Sequence, residues 1–141
     1  MSDQLVIDFL ARMNSLQPEN ISSVLADTYT TQATFIDPVK KIQGLDKLTG
    51  YFTELYTGVE HCQFKLNHAL KQDQQYALDW QMILKHKQLA KHRDIVVDGV
   101  SMLHFVDGKV DYQRDYYDLG AMIYEQIPIL GYIVKKIRHG L

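Results

Sequence analysis

The sequence has little of several features that would assign a protein class at once. Its single cysteine, Cys62, excludes an internal disulfide and any zinc site built from cysteines. Fifteen Lys and Arg against seventeen Asp and Glu give a net charge of -2, whereas nucleic-acid-binding domains are usually strongly basic. The longest apolar stretch near a terminus, 127–134, is far too short to span a membrane. The sequence also contains no phosphate-binding glycine loop, nucleophile elbow or dinucleotide fingerprint.

What is present describes one folded domain. The 141 residues are 46% apolar and 23% charged, which is the composition of a globular protein that can bury its own core. The six histidines include no His-x-x-x-His pair with an acid on a convincing helix, so we expect neither a metal site nor a cofactor. The first residues lack the basic and then apolar pattern of a secretory signal, and we therefore expect a cytoplasmic protein.

Apolar periodicity predicts how the chain is organised. Apolar residues recur at helical spacing in three N-terminal segments, around Phe9, Leu25 and Phe52. From residue 62 to residue 117 they mostly alternate with polar ones, which is typical of strands, and Asp107-Gly108 is a strong hairpin turn. This order predicts an α+β fold: a cone-shaped, curved antiparallel sheet with three N-terminal helices over its concave face. Such a cone has a pocket at its mouth.

Residues 121–141 are predicted to be an amphipathic C-terminal helical extension to a domain of residues 1–120. Pro128 is expected to break this helical tail, because proline cannot donate its backbone hydrogen bond. Several Ile, Leu and Val residues form an apolar face, and three basic residues crowd the end of the tail. We expect the apolar face to close the cone or to pack on a second copy of the chain. The alternative is a weak contact with a membrane surface.

Two blocks of sequence resemble a known superfamily. The first is residues 33–39, Ala-Thr-Phe-Ile-Asp-Pro-Val, followed by Gly44 and a helix that contains Tyr51 and Phe52. The second runs from Asp98 to Asp118 and ends in Arg-Asp-Tyr-Tyr-Asp at 114–118. These blocks are similar to the nuclear-transport-factor-2-like superfamily, and most of all to its SnoaL-like and ketosteroid-isomerase-like branch. The resemblance implies the cone fold, a pocket for a small apolar molecule, and a homodimer formed through the outer face of the sheet.

Asp37 is the first candidate catalytic residue. In ketosteroid isomerases an aspartate at the matching Asp-Pro-Val position is the general base that moves a proton beside a carbonyl, so the resemblance implies that role here. The alternative is that Asp37 only shapes the Asp-Pro turn between two strands. The donors of that isomerase site are missing, since Phe9 and Ser101 fall where its tyrosine and its protonated acid are expected. We therefore expect no steroid isomerase activity.

Asp115 is the second candidate catalytic residue. Residues 114–118 resemble an Arg-Asp-Tyr-Phe-Asp-like segment of limonene epoxide hydrolases, in which an aspartate on this strand works with an arginine and another acid to activate water. The neighbouring strand reads Ala-Leu-Asp-Trp-Gln at 77–81 and lacks that arginine, which departs from the hydrolase pattern. The alternative is that Asp115 pairs with a neighbouring arginine and stabilises the sheet.

Strand alternation predicts which side chains meet these acids. It places Gln113, Asp115 and Tyr117 on one face of the last strand, so Asp115 and Tyr117 would meet Asp37 and Asp79 around one cavity. The candidate ligand-binding residues are Phe9, Phe52, Asp79, Trp80, Ser101 and Tyr117. For Trp80, a place in the core is the alternative to a contact with the ligand.

Two functions from different classes stay open. One is a metal-free enzyme of proton transfer or hydration, of isomerase, cyclase or hydrolase type, with Asp37 or Asp115 as the base. The other is a non-catalytic ligand-binding or protein-interaction module. An enzyme needs a desolvated acid and a facing hydrogen-bond donor in its cavity, whereas a binding module can do without the donor.

Overall fold

The computed structural model describes residues 3–89, 93–122 and 136–140. In chain order the elements are α1 (Gln4–Asn14), α2 (Ile21–Thr28), β1 (Tyr29–Ile36), β2 (Lys41–Gln43), α3 (Leu45–Leu55), β3 (Val59–Gln72), β4 (Gln75–His86), β5 (Ile95–Val106), β6 (Lys109–Tyr117) and α4 (Leu119–Met122). Residues 136–139 form one further helical turn. The three N-terminal helices, the short strand pair and the four long strands predicted from the periodicity are therefore all present.

Helix α1 is anchored to the sheet by Asp3, the residue just before its first turn. The Asp3 carboxylate accepts a hydrogen bond from the Leu5 backbone N–H at 2.9 Å, which satisfies a free donor of the first turn. The same carboxylate accepts the Tyr76 hydroxyl of β4 at 2.7 Å. Phe9 and Met13, four residues apart on α1, are buried, so the apolar stripe of the helix faces the sheet as the spacing predicts.

The six strands form one mixed sheet in the order β2-β1-β6-β5-β4-β3. Strands β3 to β6 form an antiparallel meander, and β1 pairs with β2 antiparallel, as expected. The prediction of an antiparallel sheet throughout was wrong at one place, because β1 pairs with β6 in parallel, with Phe35 opposite Gln113. Parallel neighbours need a long crossover, and here the crossover is the whole segment from β2 to β5. No local turn in the sequence marks such a pairing.

Alternation along the central strands separates a buried face from an outer face. On β4 the buried face carries Tyr76, Leu78, Trp80, Met82 and Leu84, which face the helices. Register shifts between β3 and β4 and between β5 and β6 bend the sheet around that face, since a bulge adds local twist. The outer face leaves several large apolar side chains exposed, among them Leu70, Val96, Met102 and Tyr116. The homodimer expected through this face stays a prediction.

The C-terminal tail is only partly within the described residues. Residues 121 and 122 belong to α4, and residues 136–139 are helical. The predicted break at Pro128 and the apolar face from 127 to 134 lie outside the described residues. Near the end of the tail, the Arg138 guanidinium pairs with the Asp118 carboxylate at 2.6 Å. None of the helices described is long and apolar enough to cross a membrane.

Candidate functional site

The concave face of the sheet and helices α1 and α3 enclose a cavity of about 240 Å³. Its walls are mostly apolar and aromatic. The apolar lining residues are Phe9, Leu10, Met13, Phe35, Phe52, Leu55, Tyr56, Val59, Cys62, Phe64, Trp80, Met82, Leu84, Leu89, Tyr117 and Met122. The polar ones are Asp37, His86, Ser101, Gln113 and Asp115. An apolar cavity with a few converging polar groups is the common form of a small-molecule site.

Seven of the eight sequence-predicted site residues line this cavity. They are Phe9, Asp37, Phe52, Trp80, Ser101, Asp115 and Tyr117. Asp79 does not line it, which corrects the sequence-based placement. Its side chain is 48% exposed on the outer face and lies 3.2 Å from His68 Nδ1. Because side chains alternate along a strand, Asp79 and its neighbour Trp80 cannot point into the same cavity.

Asp37 lies at the end of β1, where its carboxylate organises the turn to β2. Oδ1 accepts the backbone N–H groups of Val39 at 2.8 Å and Lys40 at 2.9 Å, which is the Asx-type turn that the Asp-Pro pair favours. Oδ2 accepts the Tyr51 hydroxyl of α3 at 2.6 Å. The residue is only 8% exposed. Both carboxylate oxygens are therefore engaged by the protein.

Tyr51 is the partner that couples this turn to helix α3. Burial and the bond to Asp37 raise the pKa of the Tyr51 hydroxyl well above its ordinary value, so the hydroxyl stays protonated and donates. Its ring packs against Phe35 and Phe52, at centroid separations of 6.1 Å and 6.4 Å. The turn, the helix and the cavity wall therefore hold one another in place.

Asp115 lies in the middle of β6, inside a hydrogen-bond chain. Its Oδ1 accepts the Ser101 hydroxyl at 2.6 Å and the Gln113 amide at 3.0 Å. Ser101 in turn accepts the Trp80 indole N–H at 2.8 Å, and Gln113 accepts the Tyr29 hydroxyl at 2.6 Å. These linked hydrogen bonds fix the position of one oxygen of Asp115. The other, Oδ2, accepts no hydrogen bond from the residues that the structure describes and remains available to the cavity.

Burial raises the pKa of Asp115 to about 6, because the charged form is poorly solvated at this position. The hydrogen bonds from Ser101 and Gln113 oppose that shift, whereas the charge of Asp37 adds to it. Asp115 is thus a carboxyl group that gains and loses a proton near neutral pH. A pKa in that range suits a general acid or base.

Tyr117 supplies the facing donor. Burial raises the pKa of its hydroxyl, and the charges of Asp37 and Asp115 raise it further, which places the hydroxyl within electrostatic reach of both acids. Within the described part of the chain this hydroxyl makes no hydrogen bond, so its proton is available to a ligand. Ser101, the other candidate donor, already donates its proton to Asp115.

Residues 6–113 match a protein family described as the SnoaL-like domain. The chain belongs to the SnoaL-like domain family. The superfamily resemblance and the α+β cone expected from the sequence are thereby confirmed. A comparison with curated protein sequences gave no match.

Solved structures share the fold of this SnoaL-like domain. A hypothetical protein with a ketosteroid-isomerase-like fold from Catenulispora acidiphila, in complex with trimethylamine, is 13% identical with a TM-score of 0.74, over 89% of this chain and 93% of that one. A proposed SnoaL-like polyketide cyclase from Shewanella putrefaciens is 16% identical with a TM-score of 0.74, over 89% and 95%. A proposed isomerase from Bacillus subtilis is 16% identical with a TM-score of 0.72, over 89% and 91%. At such identities the likeness shows the fold and leaves the function open.

Sequence reasoning missed three residues of the SnoaL-like site: Tyr29, Tyr51 and Gln113. Alternation did place Gln113 on the inner face of β6, but an amide there carried no chemical signal. Tyr51 was noted only as part of the family motif. Its partnership with Asp37 depends on how α3 packs against the β1–β2 turn, and no spacing along the chain reveals that packing.

The two other cavity residues with potentially reactive side chains, Cys62 and His86, contact neighbouring groups of the protein. Burial raises the pKa of the Cys62 thiol to about 11, and its neighbour is the Tyr56 hydroxyl, so Cys62 behaves as a packed side chain. His86 Nδ1 accepts the Gln88 backbone N–H at 3.1 Å, and Nε2 lies 3.1 Å from the Thr57 carbonyl. Among the residues described, no three His, Cys, Asp or Glu side chains come together as metal ligands would.

Proposed function

We propose that this SnoaL-like domain binds a small, mainly apolar molecule in its cavity and moves a proton on it, with Asp115 as the acid–base group. The observation that carries the proposal is the state of the Asp115 carboxylate. One oxygen is held by Ser101 and Gln113, the other is open to an apolar cavity, and burial brings the pKa to about 6. Held geometry, desolvation and a pKa near neutrality are what a general base requires.

The proton-transfer step can be written for a ketone. The Asp115 carboxylate takes a proton from the carbon beside the carbonyl, and the electron pair of that C–H bond moves to form an enolate. The Tyr117 hydroxyl donates a hydrogen bond to the enolate oxygen, whose charge it stabilises. Asp115 then returns its proton to a carbon of the enolate, which restores the carboxylate. Where the ketone also carries a carbon–carbon double bond conjugated with the enolate, return of the proton to the far end of that system shifts the double bond and gives an isomer.

Asp37 supports this site without being its base. Its two oxygens already accept three hydrogen bonds, from Val39, Lys40 and Tyr51. Three of the roughly four acceptor sites of this carboxylate are occupied, which leaves it less capacity to take a proton from a ligand than Asp115 has. Its charge nevertheless acts on Asp115 and raises the pKa of that residue. This division of roles differs from the ketosteroid isomerase pattern, in which the acid at the Asp-Pro-Val position is the base.

The size of the cavity limits the ligand. An apolar cavity of about 150 Å³ is known to hold one benzene ring. The cavity here, about 240 Å³, therefore suits a molecule of one or two rings. A solved relative is described as a complex with trimethylamine, which is in keeping with a small occupant.

Hydrogen exchange on a two-ring ketone tests the proposal. The probe is 1-indanone in D₂O, with loss of its α-proton signals followed by NMR and its binding followed by the fluorescence of Trp80, the single tryptophan of the chain. We expect Asp115→Asn to slow protein-catalysed exchange by about 10²- to 10⁴-fold, the usual contribution of a general base. Asp79→Asn on the outer face is the matched control and should exchange as the unmodified protein does. The exchange rate should also rise with pH, with its midpoint near pH 6 in the free protein.

A non-catalytic binding module is the second candidate. Two observations favour it: Phe9 cannot donate a hydrogen bond, and the Ser101 hydroxyl is already committed to Asp115. Proton transfer then depends on Tyr117 as the hydroxyl that can donate toward a ligand oxygen beside Asp115. If 1-indanone quenches Trp80 fluorescence but exchanges no faster with the unmodified protein than with the Asp115→Asn variant or in buffer alone, catalysis is rejected and the binding module remains.

A further inference from the structure

Acidic side chains outnumber basic ones among the described residues that line the cavity. Its described lining contains two carboxyl groups, those of Asp37 and Asp115, and no lysine or arginine. Asp115 forms no ion pair with any residue that the structure describes. Buried carboxylates in proteins are normally paired with a cation, because an unpaired charge is costly in an apolar environment. The missing partner of Asp115 is thus not a described side chain of the protein.

The basic residues nearest to these acids along the chain do not reach into the cavity. Lys40 follows Asp37, but it is exposed and its ammonium lies 5.8 Å from the ring centroid of Tyr51. Arg114 precedes Asp115, but it is on the other face of β6, where its guanidinium stacks on Tyr116 at 4.9 Å. Neither lines the cavity. Strand alternation keeps Arg114 away from the carboxylate beside it in sequence.

Aromatic rings surround the acidic end of the cavity. Trp80 packs against Phe64 at a centroid separation of 5.1 Å and against Tyr117 at 6.4 Å. The Trp80 indole is tied to Ser101, which is bonded to Asp115, so these rings lie next to the carboxylate. Aromatic faces attract cations, and tryptophan does so most strongly. Carboxylate and rings together form the kind of surroundings that proteins use to bind organic ammonium groups.

We propose that the natural ligand is a small organic cation whose positively charged nitrogen sits between the Asp115 carboxylate and the aromatic rings of Trp80 and Tyr117. This inference rests on the proposed ligand-binding function and names the chemical class of the ligand. Pairing with a positive nitrogen keeps Asp115 ionised, which is the form that accepts a proton. A positive nitrogen also makes neighbouring C–H bonds more acidic, so the same contact would assist proton removal.

A pair of isosteric ligands isolates the effect of charge. Benzyltrimethylammonium carries a permanent positive charge, and neopentylbenzene has the same shape with carbon in place of nitrogen. Binding of each is read from the fluorescence of Trp80, at pH 8 and low ionic strength. We expect the cation to bind at least about tenfold more tightly, as a desolvated cation–π contact with a carboxylate partner allows. Equal binding, or tighter binding of the neutral compound, overturns the proposal.

A change in the protein provides the complementary measurement. Asp115→Asn removes the charge but keeps an oxygen that can accept the bonds from Ser101 and Gln113, so the cavity should keep its shape. We expect this variant to bind the cation about tenfold more weakly and the neutral compound no more weakly. Asp79→Asn, on the outer face, is the matched control and should bind both as the unmodified protein does.

The pH dependence of binding distinguishes Asp115 from the other titratable groups at the cavity. Asp37, Tyr29, Tyr51 and Tyr117 are within electrostatic reach of Asp115, and burial keeps the three tyrosines protonated across the range. His86 lies six residues from Trp80 along β4, or about 20 Å away. Lowering the pH from 8 to 5 protonates Asp115 and should weaken cation binding several-fold without affecting the neutral compound. If the affinity for the cation does not change over this pH range, the proposal is contradicted.

Failure of this inference and failure of the proposed function give different results. If 1-indanone binds and exchanges while the cation shows no advantage over its isostere, the proton-transfer function stands and the cationic ligand class is wrong. If none of the three compounds changes Trp80 fluorescence, both are wrong.

Discussion

Two carboxylates reach the same cavity from different parts of the fold, the β1–β2 turn and the middle of β6, and their surroundings differ. The carboxylate of Asp37 accepts three hydrogen bonds through both oxygens and holds a turn and a helix together. The carboxylate of Asp115 accepts two, both through one oxygen, and burial raises its pKa to about 6. A position at the cavity therefore does not by itself make an acid reactive. What matters is how much of its hydrogen-bonding capacity the protein leaves unused.

The largest expected effect comes from Gly99→Ala, which disturbs the Asp115 side alone. A methyl group at Gly99 would overlap the Trp80 ring, with Cζ2 and Cζ3 only 2.7 Å away. Moving Trp80 breaks its hydrogen bond to Ser101 and so weakens the linked hydrogen bonds that hold Asp115. We expect the free energy of unfolding to fall by about 3 kcal/mol in urea titrations. Gly50→Ala in α3 meets no atom within 4 Å and, as the control, should be neutral or stabilising by about 0.5–1 kcal/mol.

The next effect is expected from Asp37→Ala, which breaks the other side of the comparison. It removes the acceptor for two backbone N–H groups and for the Tyr51 hydroxyl, which is left without its partner. We expect a loss of about 2–3 kcal/mol, measured by urea unfolding. Asp37→Asn keeps one oxygen for Val39 and Lys40 and should lose about half as much. A fully stable Asp37→Ala protein would show that the turn does not depend on this carboxylate.

Asp115→Asn should raise the free energy of unfolding at neutral pH, whereas Gly99→Ala and Asp37→Ala lower it. The folded protein holds the Asp115 proton more tightly than the unfolded chain, since burial raises the pKa from 3.8 to about 6. Stability of the unmodified protein therefore falls as pH rises from about 4 through 6, by up to about 3 kcal/mol. The Asn variant escapes this loss, and we expect it to be more stable by about 2 kcal/mol at pH 7 and by little or nothing at pH 4. Unfolding in urea at both values tests this, and a variant that is less stable at pH 7 contradicts it.

The smallest expected effects on stability come from replacing Tyr51 and Tyr117 by phenylalanine. Tyr51→Phe removes the donor to Asp37 Oδ2 and should cost about 1 kcal/mol of stability. Tyr117→Phe removes a hydroxyl that has no hydrogen-bond partner among the described residues, so stability should change by less than about 0.5 kcal/mol. Only the second change is expected to slow exchange of 1-indanone. Loss of stability in Tyr117→Phe, with exchange unaffected, would reverse the roles assigned to the two residues.

Much of this architecture could be predicted from local patterns. Helical spacing identified α1, α2 and α3, alternation identified the long strands, and Asp107-Gly108 marked the β5–β6 hairpin. Alternation also put Asp115 and Tyr117 on one face, and that face lines the cavity. The same rule, applied to β4, would have excluded Asp79, whose neighbour Trp80 points inward. That error came from placing residues by type rather than by face.

The sequence by itself determined which side chains share a face, because a strand repeats every two residues and a helix every 3.6. It also placed an acid at the Asp-Pro turn and another on the last strand. Only the tertiary structure decided what those acids can do. The packing of α3 brought Tyr51 to Asp37, and the pairing of β5 with β6 set Ser101 opposite Asp115. The parallel pairing of β1 with β6 brought Tyr29 to Gln113, which donates to Asp115. Desolvation and hydrogen bonding set the reactivity of a carboxyl group, and the desolvation exists only once the helices pack over the sheet.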